Sequence, residues 1–332
     1  MSDFSRLTSD AAFIENIKRR IYENSAEIWP HLKREEWPLV PAIVGSRAGR
    51  NPFAADDGRS LPPSRSFTGH DAVRLYEAAA FTMWSFGLAF NGHLTILWRG
   101  LGIVDHARAA AVLSAFNKEA AAWLRVGELE SDRRRMNKRA AFGSSPHVYA
   151  YVHENTQVNG FHTHQLLYVP REKAAAFEVW AEKCLTRLSG RRRAEVYAVH
   201  LSPRTKKGGF LPRRYSTDAS AAADMWRWVR YVMKGLPEEW FCVSPDAPAV
   251  KLREIFAPRP FYPSAPVYAR RVVGFSENIG PAAQRAAGFE SKYRWREFDR
   301  LYDGSELADY RREVARAEAA AELDEAMRRM KL

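Results

Sequence analysis

His147-Val148-Tyr149-Ala150-Tyr151-Val152-His153-Glu154, a polar segment over 155–160, then Phe161-His162-Thr163-His164-Gln165-Leu166-Leu167-Tyr168-Val169: this stretch decides how the chain folds. Two apolar-rich runs flank a segment that ends in Asn159-Gly160, a pair suited to a hairpin turn. Side chains two apart in a strand point the same way, so His162 and His164 project together and can offer two imidazole nitrogens to one ion. A hairpin centred near Val158 makes Glu154 and His162 near-opposite residues on one face of the sheet. Glu154 is therefore the expected third ligand. His153 faces the other side and takes that place only if a bulge shifts the register by one residue.

Outward from the hairpin, the pattern alternates helices and strands. Helices are expected over 69–85, 105–126, 172–188 and 218–236, and strands over 88–98 and 194–201. This order predicts an α+β fold, a central antiparallel sheet with helices packed on one face. Residues 5–29 carry a further helical pattern, and 38–68 is rich in Pro, Gly, Ser and Arg. The proline-rich, aromatic stretch 237–268 has no clear period, and 290–332 is an Ala-, Glu- and Arg-rich helical tail. The expected organisation is an N-terminal helix and basic arm over 1–68, a catalytic domain over 69–240 and a C-terminal extension over 241–332.

The 332 residues are 46% hydrophobic, with ten Trp, thirteen Tyr and eighteen Phe, enough for a substantial core. The formal charge of +12 favours an acidic partner, most often nucleic acid. Two cysteines, Cys184 and Cys242, give neither a disulfide framework nor a thiolate metal site. The sequence contains no signal-like N-terminus, no run of 18 apolar residues and no phosphate-binding Gly-Lys-Ser/Thr loop. A cytoplasmic protein without a membrane partner or a fused ATPase is expected.

A second constellation is Trp226-Arg227-Trp228-Val229-Arg230-Tyr231-Val232-Met233-Lys234-Gly235. Tyr231 and Lys234, three apart, share a helical face, and a nearby ammonium favours the phenolate. A phenolate can attack a phosphodiester and split one difficult displacement into two. Basic residues at Arg191, Arg192, Arg193, Arg204, Lys206, Lys207 and Arg230 are candidates for phosphate contacts. Trp98, Trp226 and Phe210 suit either base stacking or the core.

Taken in order, these motifs resemble those of the HUH endonuclease superfamily, specifically the rolling-circle replication initiators of plasmids and single-stranded DNA phages. Leu94-Thr95-Ile96-Leu97 is similar to the family's first motif. His162-Thr163-His164 with Glu154 eight residues upstream is similar to the second, with Thr163 where a hydrophobic residue is usual. Tyr231-x-x-Lys234 is similar to the third. The resemblance covers about residues 85–240. It implies the ferredoxin-like nuclease fold of that family and a Mg²⁺ or Mn²⁺ ion on His162, His164 and Glu154. It also implies a Tyr231 nucleophile that keeps the 5′-phosphate and frees a 3′-OH, and Lys234 beside it. Single-stranded or hairpin origin DNA, and a host helicase, are the implied partners. Arg227 stands one turn before Tyr231, so the match is to single-tyrosine initiators. A relaxase would instead use an N-terminal tyrosine such as Tyr22 with a third histidine such as His153. Transposases of this chemistry are usually much shorter chains. A non-catalytic DNA-binding autoregulator on the same fold, and an unrelated metal-dependent hydrolase, complete the alternatives.

Overall fold

The structure is a computed structural model; residues 42–44, 66–126, 145–195, 197–244 and 247–330 are described. The helix expected over 5–29 with Tyr22, most of the arm over 38–68 and the basic run 133–139 lie outside these residues. In chain order the elements are β1 (Ala42–Val44), α1 (Gly69–Phe86), β2 (Gly92–Leu97), α2 (His106–Val126), β3 (Tyr149–Thr156), β4 (Gly160–Leu167) and α3 (Ala174–Leu188). They continue with β5 (Val199–Ser202), α4 (Asp218–Val232), β6 (Phe241–Ser244), β7 (Ala247–Lys251), α5 (Leu252–Phe256), β8 (Val273–Phe275), α6 (Pro281–Ala286) and α7 (Ser305–Met330).

The hairpin forms the centre of the molecule. β3 and β4 pair without interruption from Tyr149 opposite Leu167 to Thr156 opposite Gly160. A three-residue connection, Gln157 to Asn159, leads into Gly160, whose φ of +61° is costly for any residue with a Cβ. The Thr156 hydroxyl accepts from the Asn159 amide at 3.3 Å and closes the turn. β2 then pairs with β4, and β5 with β2, so the strands lie in the order β5-β2-β4-β3-β8, all antiparallel. The segment from β2 to β5 runs β-α-β-β-α-β.

Helices cover both faces of this sheet, not one. From Phe161 to Leu167 every residue of β4 is buried. A strand buried on both sides needs an apolar layer above and below it. On one side α2 and α3 pack together through Trp123 and Trp180, with ring centroids 5.4 Å apart. α2 presents Val112, Leu113, Phe116, Ala120, Trp123 and Leu124 along one stripe, all buried. Asn117 of α2 ties that layer to the sheet by accepting from the Gln165 amide at 2.7 Å. On the other side lie α1 and α4, joined by Tyr76 stacked on Trp226 at 5.2 Å. Thr68 starts α1 with a capping box, its hydroxyl accepting from the Asp71 amide while the Asp71 carboxylate accepts from the Thr68 amide. Thr217 and Ser220 start α4 in the same way.

Several element ends differ from those expected. β2 stops at Leu97 because Trp98–Leu101 tightens into a 3-10 turn closed by Gly102 at φ +71°. β5 begins only at Val199, after a stretch in which Tyr197 adopts φ +66°. α4 ends at Val232, and short turns from Lys234 N–H to Tyr231 O and from Leu236 N–H to Met233 O replace its expected last turn. Residues beyond 240 are no appendage. β8 is the fifth strand of the main sheet, β6 and β7 join β1 in a second sheet, and α7 packs on α1, where Gly87 leaves no room for a side chain beneath Tyr310. The proline-rich stretch thus holds two short strands and α5, which its sequence did not reveal. Trp98, Trp226 and Phe210 are all buried in the core, so base stacking is not their role.

Thr163, the polar residue in the middle of the histidine strand, points to the α2 side. Its hydroxyl accepts from the Trp98 indole at 2.8 Å and lies 2.7 Å from Nδ1 of His153. Burial holds His153 neutral, with its pKa pushed down to about 3, so the Thr163 O–H can donate to it. Thr163→Val keeps the shape and strands both partners, and should cost about 1–3 kcal/mol. Urea unfolding of the variant against wild type measures this.

Candidate metal centre and the tyrosine above it

The register of β3 and β4 sets Glu154 directly opposite His162, and Thr95 of β2 directly opposite His164. Glu154, His162, His164, Thr95 and His93 therefore share the face covered by α1 and α4. One ligand atom from each of Glu154, His162 and His164 lies within 4.8 Å of the other two, and all three residues are buried. Nε2 of His162 is 3.3 Å and Nε2 of His164 is 3.6 Å from Oε2 of Glu154. His153 faces α2 and takes no part, because the pairing contains no bulge.

The outer nitrogens fix how the imidazoles point. Nδ1 of His162 donates to the Gly160 carbonyl at 2.9 Å, which leaves Nε2 with a free lone pair. Nδ1 of His164 lies 3.0 Å from Nε2 of His93 and 3.2 Å from the Thr95 hydroxyl. Burial, aided by neighbouring cationic groups, keeps His93 far below its ordinary pKa and so neutral. A neutral His93 can accept the Nδ1 proton of His164 and turn that ring's lone pair towards Glu154 as well. Two nitrogen lone pairs and one carboxylate oxygen, with partners behind both rings, form a donor set that could hold a divalent metal ion.

The carboxylate is ionised despite its surroundings. Burial opposes the charge on Glu154, but the His162 and His164 side chains against it and the Lys234 ammonium hold its carboxyl far below the usual range. The Lys234 ammonium donates to both oxygens, at 2.5 and 2.6 Å. Lys234 reaches Glu154 from the turn after α4, so Tyr231 and Lys234 meet the site from a helix end and a turn rather than from one helical face.

Tyr231 lies over the same cluster. Its ring centroid is 5.3 Å from that of His164 and 5.7 Å from that of His93, in edge-to-face contact with both. Trp228, one turn earlier, packs against His93 with the rings tilted and their centroids 4.6 Å apart. The Lys234 ammonium sits 4.3 Å from the centre of the Tyr231 ring. It does not make the phenol more acidic, contrary to expectation. Burial raises the Tyr231 pKa, the Glu154 charge raises it further, and Arg259 is the group that acts in the opposite sense. Lys234 is committed to the carboxylate, whose charge cancels its influence on the phenol.

The other candidate residues stand apart from this cluster. Arg191, Arg192, Arg193, Arg204, Lys206 and Lys207 are exposed around β5, two strands from β4. Arg204 is engaged by Glu178 of α3 at 3.4 Å and by His200 at 3.0 Å. Arg230, next to Tyr231, lays its guanidinium over the Tyr302 ring at 4.2 Å. His93 is a site residue that none of the sequence motifs includes. Its place two residues before Thr95 on the same strand was the signal, since it puts His93 on the metal-facing side. Comparison with protein-family models, curated proteins and solved structures gave no match to this chain.

His93→Phe should weaken Mn²⁺ binding by about 10- to 100-fold by freeing His164 to turn. His153→Phe, on the opposite face, should leave metal affinity unchanged and alter stability alone. Isothermal titration calorimetry of the two variants with Mn²⁺ separates these outcomes.

Proposed function

We propose that this chain is a replication initiator of the HUH endonuclease type, which nicks single-stranded DNA at an origin and joins itself to the 5′ end. The observation that carries the reading is the convergence of Tyr231 and Lys234 on the Glu154, His162 and His164 cluster. Residues 80 positions apart in sequence meet at one point, with a nucleophile and a metal-ligand set facing each other. The β-α-β-β-α-β order with strands β5-β2-β4-β3 is that of a ferredoxin-like sheet, as the resemblance implies. The net charge of +12 suits a polyanionic substrate.

His162, His164 and Glu154 would hold Mg²⁺ or Mn²⁺, which when bound would polarise the scissile phosphate and offset charge in its displacement. The remaining steps belong to the chain. Trp228, His93 and His164 hold the Tyr231 ring by edge and face contacts, which limits the rotation of its hydroxyl. Tyr231 Oη attacks phosphorus, the bond to the 3′ oxygen breaks, and the proton lost by the phenol is balanced by the one gained by the departing 3′-OH. The product is a 5′-phosphotyrosine, and the free 3′-OH can prime synthesis by a host polymerase while a host helicase unwinds the duplex. Because burial keeps the phenol protonated at neutral pH, its deprotonation accompanies attack rather than preceding it. Lys234 keeps Glu154 ionised and oriented, and its ammonium stands close enough to the ring to meet an incoming phosphate.

Incubation with single-stranded DNA from the protein's own replicon and Mn²⁺ should yield a protein–DNA band that survives SDS. Tyr231→Phe should yield none while still binding Mn²⁺. His162→Ala should slow adduct formation by about 1,000-fold or more, the equivalent of several kcal/mol of lost transition-state stabilisation. An adduct that persists in Tyr231→Phe would remove Tyr231 as the nucleophile. Failure of the wild type on every strand of the replicon would leave a DNA-binding protein without nuclease activity.

A further inference from the structure

On the side of α4 beyond Tyr231, a cleft of about 320 Å³ opens between Ala223, Arg227 and Arg230 of the helix and residues 257–260. That volume lies at the small end of ligand pockets, which run from roughly 300 to 1,000 Å³. Three arginines, Arg227, Arg230 and Arg259, line it, and no carboxylate does. Arg227, Arg230 and Tyr231 are spaced at i, i+3 and i+4, so the cleft and the tyrosine occupy one stripe of the helix.

The walls are built rather than loose. The Arg259 amide donates to the Arg230 carbonyl at 3.3 Å, and the Tyr262 amide to the Lys234 carbonyl at 3.2 Å. The Arg253 guanidinium donates to the Arg259 carbonyl at 2.8 Å and to the Leu236 carbonyl at 2.5 Å. Pro258 and Pro260 restrict the backbone on either side of Arg259.

The three guanidiniums differ in their engagements. Arg230 is fixed against Tyr302, with its buried Nε lacking a partner among the described residues. Arg259 is exposed and forms no ion pair with a described carboxylate, yet lies close enough to Tyr231 to favour its ionised form. Arg227 pairs with Asp224 at 2.5 Å, but Asp224 also receives hydrogen bonds from Arg213 and Tyr215. Asp224 therefore stays satisfied when Arg227 swings to another anion.

We propose that this cleft binds a backbone phosphodiester of the single-stranded DNA adjacent to the one that Tyr231 attacks, with Arg227 and Arg259 making the contacts and Arg230 forming the wall behind them. The assignment rests on the nicking function proposed above and gives that site a substrate-positioning half. Guanidiniums grip phosphate oxygens through paired N–H donors, and two of them in a cleft along the nucleophile's helix would hold the strand so that the scissile bond lies in line with the phenol.

The test reads binding without chemistry. Full-length protein carrying Tyr231→Phe, in EDTA, is titrated with fluorescein-labelled oligothymidylate across a range of salt concentrations and followed by anisotropy. Each phosphate contact contributes about 0.7 to the slope of log K against log salt for a single strand. Adding Arg227→Ala and Arg259→Ala should lower that slope by about 1.4, with an affinity loss of about tenfold or more at low salt. Arg227→Lys with Arg259→Lys, which keeps the charges, should restore most of the slope. Arg285→Ala, at an exposed arginine on α6, should change nothing, and circular dichroism checks that each variant is folded. An unchanged slope in the double alanine variant overturns the cleft as a DNA subsite, even if the wild type nicks DNA. A slope that falls while the wild type forms no adduct sinks the nuclease reading and keeps the cleft. If inorganic pyrophosphate binds the protein in an Arg227- and Arg259-dependent manner without displacing the oligonucleotide, the cleft serves a free oxyanion and the DNA assignment fails.

Discussion

The unbroken register of the β3–β4 hairpin is the constraint on which the rest depends. Side chains alternate along each strand, so one extra residue in either would turn a whole set of side chains to the opposite face. As built, Glu154, His162 and His164 face α4, while His153, Thr163 and Gln165 face α2. Gly160, with its positive φ, lets the chain reverse after three residues and keeps that count. The metal-facing layer and the supporting layer are thus two sides of one pairing.

Each side then handles its polar groups differently. On the α2 side, Thr163 bridges Trp98 and His153, and Asn117 bridges Gln165 to the helix, so the polar residues there act as hydrogen-bonded parts of a core. On the α4 side, a buried carboxylate stays charged because an ammonium and two imidazoles surround it. Removing the Lys234 ammonium would leave a buried charge poorly compensated, which is far more costly than losing a surface pair. The same compensation explains why Lys234 cannot also acidify Tyr231. The ammonium is held by the carboxylate, and beyond burial it is the carboxylate's charge that acts on the phenol.

Legibility followed the range of the interactions. The hairpin, its turn and the Glu154–His162 pairing were readable because they depend on alternation and on counting residues from Gly160. The helices over α1, α2 and α3 were readable from their apolar stripes. By contrast, β6, β7 and β8 are short strands of three to five residues: β6 and β7 pair with each other, but β6 joins β1 and β8 joins β3 across long stretches of chain, and no local period announces them. The two-sided cover of the sheet was half-legible, since Leu166 and Leu167 are both apolar and alternate faces. His93 had the correct position on its strand, but its importance comes from a contact with His164 across 71 positions.

The amino-acid sequence by itself determined which residues pair across the turn, which face each histidine takes and where the long helices run. These follow from backbone periodicity and from the few conformations open to Asn-Gly. Only the tertiary structure decided that Lys234 belongs to Glu154, that His93 backs His164, that Arg259 comes within electrostatic reach of Tyr231 and that residues beyond 240 complete the sheet. Those outcomes depend on how layers dock and which charges become buried together. Such energies arise between distant segments and leave no periodic trace along the chain.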